Sequence, residues 1–219
     1  MKQLSSEKCS IAWFKLAECV ERGDRERAFS LYRLLVHSMN DQPFLKKLEA
    51  DIWSAFDGTM SEELYRQAAQ LYKIAGNYSE SLLIYELLTT EYPASLEHCQ
   101  QAIGLCDQLG LDKKKQQFVK RLSEALLEVG DIEKSLKTFQ SIESSYKNKE
   151  QIEFYALWVL GALKHHFAEQ HLIKDALYKV LDGYLRMSAD TQLSAFLGAV
   201  KQLNAVWYKD AFGYCENQK

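Results

Sequence analysis

Apolar residues recur every three or four positions along nearly the whole chain, the spacing that gathers one side of each helix into a stripe facing a core. Leu64, Ala68, Leu71, Tyr72 and Ala75 form such a stripe ahead of Gly76-Asn77, and Leu122, Ala125, Leu126 and Val129 form another ahead of Gly130-Asp131. Ile11, Phe14 or Lys15, and Ala17 or Glu18 precede Gly23-Asp24 at the same helical spacing, and a fourth glycine, Gly110, closes the segment 94–109. Glycine ends a helix because it tolerates a left-handed conformation, and an Asp or Asn after it caps the next helix. The pattern predicts eleven helices, near 5–22, 24–39, 43–56, 61–75, 78–91, 94–109, 112–129, 131–145, 148–166, 170–186 and 190–207. Connections this short make neighbours antiparallel, so the expectation is an all-α stack of hairpins, a solenoid in which each repeat touches only the adjacent ones.

Composition sharpens that picture. Only 2 prolines and 10 glycines occur in 219 residues, too few to interrupt long helices often. The 47% hydrophobic and 26% charged shares are those of an ordinary folding domain and exclude disorder and collagen-like states. A net charge of −3 offers no general attraction to phosphate backbones, so nucleic acid is not the expected partner. No run of about 18 apolar residues is present and residues 1–8 lack the apolar stretch of a secretory signal, which predicts a cytoplasmic protein without membrane insertion. The cysteines, Cys9, Cys19, Cys99, Cys106 and Cys215, are odd in number; the first four lie in helical patterns, where Cys packs as a small apolar side chain.

One segment carries a finer signature. From Tyr65 to Pro93, Ala68 and Ala69 supply small residues on a first helix and Tyr72 an aromatic one. Gly76-Asn77-Tyr78 makes the turn, Ser81 is the small contact of a second helix, Tyr85 its aromatic, and Tyr92-Pro93 close the unit. This segment resembles a repeat of the tetratricopeptide (TPR) family, whose unit of about 34 residues puts small side chains where two helices touch. Gly23-Asp24, Ala28 and Tyr32 give a weaker copy, and Gly130-Asp131-Ile132, Ser135 and Phe139 another. From Gly23 to Gly76 and from Gly76 to Gly130 the interval is longer than one such unit and shorter than two. Either an extra helix (43–56 and 94–109) intervenes, or a degenerate repeat uses Gly110-Leu111-Asp112 as a turn one unit length after Gly76. The resemblance implies TPR-like repeats over 1–147 in a right-handed solenoid, with 148–219 as a helical capping region continuous with them.

The resemblance also implies a function, because TPR arrays hold peptides or helices of protein partners on a concave surface built from first helices. Here the walls would be the helices near 5–22, 61–75 and 112–129. Arg66, Gln67, Gln70, Lys73, Lys120 and Arg121 are the polar residues such a surface would present, and ordinary solvated helix surface is the competing account of each. The expectation is an adaptor or chaperone-like binding module acting by surface complementarity, without cofactor or catalysis. No nucleophile elbow, phosphate-binding glycine loop, HExxH or paired Cys-x-x-Cys occurs. His165, His166, Glu169 and His171 follow no tight zinc spacing, so no metal is expected there. Lys113-Lys114-Lys115 reads as a solvated first turn. Two rival readings stand beside the adaptor: a structural subunit self-associating through Trp207, Tyr208, Phe212 and Tyr214, and a regulator or enzyme taking a small ligand between helices.

Overall fold

The computed structural model describes residues 6–142, 148–165 and 170–218, with side chains from residue 11 in the first stretch and from residue 149 in the second. Among the described residues the chain is all-helical. Its elements are α1 (Ser6–Glu21), α2 (Arg25–Ser38), α3 (Gln42–Phe56), α4 (Ser61–Ile74), α5 (Tyr78–Glu91), α6 (Leu96–Leu109), α7 (Asp112–Glu128), α8 (Ile132–Gln140), α9 (Asn148–Ala162), α10 (Gln170–Arg186), α11 (Asp190–Leu203) and α12 (Ala205–Asn217).

The chain folds as two compact units. The first takes α1 to α5 and the part of α6 from Gln101; the second takes the start of α6 and α7 to α12. Within each, a helix packs mainly on its neighbours in sequence, α1 on α2, α3 on α4 and α4 on α5 in the first, α7 on α8, α9 on α10 and α11 on α12 in the second. The odd-numbered helices begin at Ser6, Gln42, Tyr78, Asp112, Asn148 and Asp190, and the even-numbered ones at Arg25, Ser61, Leu96, Ile132, Gln170 and Ala205. Each series thus advances in steps close to one repeat length, with a longer step only before α11. The Gly-Asp/Asn pairs follow α1, α4 and α7, every third helix, so their spacing is one and a half hairpins. Gly110 closes α6 with the same geometry.

That shared geometry is a left-handed glycine after the last turn. At Gly76 (φ 77°) the Asn77 N–H donates to Tyr72 O at 2.8 Å and the Gly76 N–H to Lys73 O at 3.1 Å, the two bonds of a Schellman cap. Asp24, Asp41 and Asp131 then start the following helices by accepting the N–H of Arg27, Phe44 and Lys134. The Lys134 N–H and ammonium hold the Asp131 carboxyl below the usual carboxylate range.

Three helix ends differ from the sequence expectation: α8, predicted to 145, ends at Gln140, α9, predicted to 166, ends at Ala162, and the last predicted helix divides in two. The helix predicted over 190–207 ends at Leu203, and a twelfth helix starts at Ala205. Asn204 is extended (φ −156°, ψ 110°), and its side chain accepts the N–H of Val206 and Trp207, a cap inserted within a continuous apolar pattern. The last aromatics therefore lie on a packed helix. Tyr214 stacks on Tyr178 with ring centres 4.1 Å apart and donates to Asp182, while the Tyr178 hydroxyl donates to Asp210 at 3.0 Å.

Candidate functional site

In the first unit, the residues named for close packing lie on α4 and α5, which pack against each other. Ala68, Ala69 and Ser81 are fully buried, with Tyr72 and Tyr85 buried beside them. A side chain larger than methyl at Ala69 would drive the helices apart. Gly76 makes the turn, Tyr78 opens α5 with its ring partly exposed, and Pro93 lies exposed just beyond α5.

The polar residues of α4 have local partners. Arg66 pairs with Glu63, and Gln67 Nε2 donates to the same carboxylate at 2.8 Å. Gln70 Nε2 donates to the Tyr85 hydroxyl at 3.1 Å, and Lys73 Nζ to Gln101 Oε1 at 3.4 Å. Hydrogen bonds from Arg66, then Gln67, hold the Glu63 carboxyl below its ordinary range. Glu63, Arg66, Gln67, Gln70 and Leu71 line a shallow depression of about 370 Å³, all from the one helix. A two-helix depression in this unit, about 340 Å³, runs between α1 and α3, with Trp13, Leu16, Val20, Leu48 and Ile52 as its apolar walls.

The larger groove belongs to the second unit. Its volume is about 660 Å³, and its walls come from α7, α9 and α11 with Phe139 of α8 beneath. Two contacts fix how α7 and α9 lie side by side. The Lys120 ammonium sits 4.5 Å above the Phe154 ring, and a methyl group on Gly161 would lie 3.4 Å from Leu127 Cδ1. Both pairs are separated in sequence by the same interval, one repeat length, so the two helices run parallel in one register, as equivalent helices of consecutive hairpins do. The floor is aromatic: Phe154 stacks on Phe139 with ring centres 3.8 Å apart, and Trp158 packs against Phe139 at 6.3 Å.

A buried polar cluster stiffens that floor. Ser135 Oγ donates to Ser123 O at 2.7 Å, Ser123 Oγ lies 2.8 Å from Ser135 Oγ, and Trp158 Nε1 donates to Ser135 Oγ at 3.0 Å. Three helices are joined through two hydroxyls, and Ser123 itself borders the groove. Leu157, with 63% of its surface exposed, and Leu203, 39% exposed, offer apolar contact at the opening. Glu124 and Glu128 stand on the α7 rim, while Lys164 and His165 stand past the end of α9.

The structure thus puts Lys120 at a groove wall and leaves Arg121 exposed beside it, its guanidinium 5.9 Å from the Phe118 ring. Sequence reasoning did not single out Leu157, Glu124 or Glu128. A signal was available in α9, whose run Phe154-Tyr155-Ala156-Leu157-Trp158-Val159-Leu160 is apolar on every side, so one side remains for something beyond the core. His171 is exposed on α10, and His166 and Glu169 lie outside the described residues. Among the described residues no three of His, Cys, Asp and Glu converge as metal ligands would, and no helix is long and apolar enough to cross a membrane.

No protein-family model matches the sequence, and a search of the curated proteins finds no relative.

Proposed function

We propose that this chain is a TPR-like protein-interaction module that receives a helix or extended peptide of a protein partner in the groove between α7, α9 and α11. The observation that carries this reading is Leu157, largely exposed above an aromatic floor within a concave surface whose rim bears both signs of charge. An exposed apolar anchor site ringed by polar groups is the arrangement that concentrates binding energy at protein interfaces. The parallel, one-repeat register of α7 and α9 and the buried small residues of α4 and α5 support the TPR-like assignment. Buried cysteines that form no disulfide among the described residues, Cys19, Cys99, Cys106 and Cys215, support a reducing, cytoplasmic setting.

Affinity capture from cytoplasm, comparing the wild type with Leu157→Asp, tests the proposal. A protein partner retained by the wild type and lost by the variant is expected, with melting midpoints equal because Leu157 is mostly solvated. Identical retention by both would overturn the groove assignment. A cavity of about 660 Å³ also lies in the range used for small ligands, so a metabolite that raises the melting midpoint of the wild type but not of the variant would move the reading to a ligand-binding regulator.

A further inference from the structure

Resting on the groove reading above, we infer that the occupant is an amphipathic helix whose flank toward α7 carries two Lys or Arg residues one turn apart. Glu124 and Glu128 stand one turn apart on α7, both exposed, and both border the groove. Among the described residues neither carboxylate makes a hydrogen bond or ion pair. On a helix such a pair lies on one face about 6 Å apart, which repels at close range and matches the one-turn spacing of a cation pair on a second helix. The cation that α7 does contribute, Lys120, is engaged over the Phe154 ring at the other end of the wall.

Across the groove, α9 and α11 present Leu157, Gly161 and Leu203, without charge until Lys164 at the end of α9. Lys164 likewise has no partner among the described residues. The groove is therefore sided: carboxylates along one wall, an aromatic floor and a facing wall without charge, and a cation at one end. An occupant that satisfies it presents three faces at once, cationic toward α7, apolar toward Leu157 and the aromatic floor, and acidic near Lys164. A helix supplies three faces in fixed angular relation through its i, i+3, i+4 and i+7 positions, whereas an extended strand supplies two.

The test uses the full chain and three fluorescently labelled synthetic peptides. One is an amphipathic helix with Leu at i, i+3, i+4 and i+7, Lys on one flank and Glu on the other; the second exchanges Lys and Glu; the third has the same composition interrupted by prolines so that it stays extended. Anisotropy titrations at low salt should show the first helix binding about tenfold or more tighter than the second, the size expected when two attractive contacts become two repulsive ones. Glu124→Lys with Glu128→Lys should invert that order, and Leu157→Asp should abolish binding of both helices.

Equal affinity of the two helices for the wild type, or an order unchanged in the charge-reversed variant, would overturn the inference. Leu157-dependent binding of the extended peptide alone would also overturn it while leaving the groove reading intact. Binding of none of the three would overturn it as well, and the capture experiment with Leu157→Asp then decides the groove reading separately. The three substituted residues are exposed, so melting curves matching the wild type certify that each variant is folded.

Discussion

Ser188 has a backbone φ of 50°, the left-handed region that the other Schellman-type helix ends reserve for glycine. It closes α10 in the same way as Gly76 closes α4, with the Ala189 N–H donating to Tyr184 O and the Ser188 N–H to Leu185 O, both at 3.0 Å. A Cβ in this conformation is crowded against the backbone, so Ser188→Gly is expected to stabilise the second unit by about 1 kcal/mol, read as a higher urea midpoint at constant slope. Two buried serines make an opposing pair. Ser135 accepts from the Trp158 indole and bonds Ser123, so Ser135→Ala strands the indole N–H and should cost about 1–3 kcal/mol. Ser81 is equally buried, but its Oγ makes no hydrogen bond among the described residues. Ser81→Ala should therefore be neutral or stabilising by up to about 1 kcal/mol. Equal losses at the two positions, measured by denaturant titration, would show that size alone governs both contacts.

At the scale of the helix, Gly183 sets how closely α10 approaches α9. A methyl group there would run into Ile152 Cδ1 and lie 2.5 Å from its Cγ1, closer than packed carbons come. Gly183→Ala raises intrinsic helix propensity yet should lower stability by about 1–3 kcal/mol through overpacking, and Gly183→Ala with Ile152→Ala should recover part of that loss. Stabilisation by the single change would mean that Ile152 moves aside freely. Nothing in the sequence marks Gly183, because a glycine within a helical pattern reads the same whether its hydrogen faces solvent or a neighbour. Helix limits, by contrast, are legible to within a few positions wherever Gly-Asp or Gly-Asn punctuates the chain, since those signals are local. Asn204 escapes because its cap interrupts an apolar rhythm that continues on both sides. The groove is legible only in part. Lys120 belongs to it, but pairing α7 with α9 depends on contacts between positions a whole repeat apart, which no local pattern reports.

At the scale of the molecule, stability in stacked hairpins is a sum of local terms, each helix held mainly by its sequence neighbours. The observed packing follows that rule, with α1 on α2 and α3 on α4 in the first unit and α7 on α8 and α9 on α10 in the second. Ser135→Ala removes a bond that joins α8 to α9 and leaves every contact of α1 to α3 untouched. Native-state hydrogen exchange should therefore show protection falling about tenfold in α7 to α10, which corresponds to roughly 1.4 kcal/mol, with α1 to α3 unchanged. The two outcomes bear on binding as well. Confined loss means that an occupant of the α7–α9–α11 groove stabilises the second unit by mass action and raises protection there alone. A uniform fall in protection along the chain would mean that both units open together, and an occupant of that groove would then stabilise α1 to α3 to the same degree.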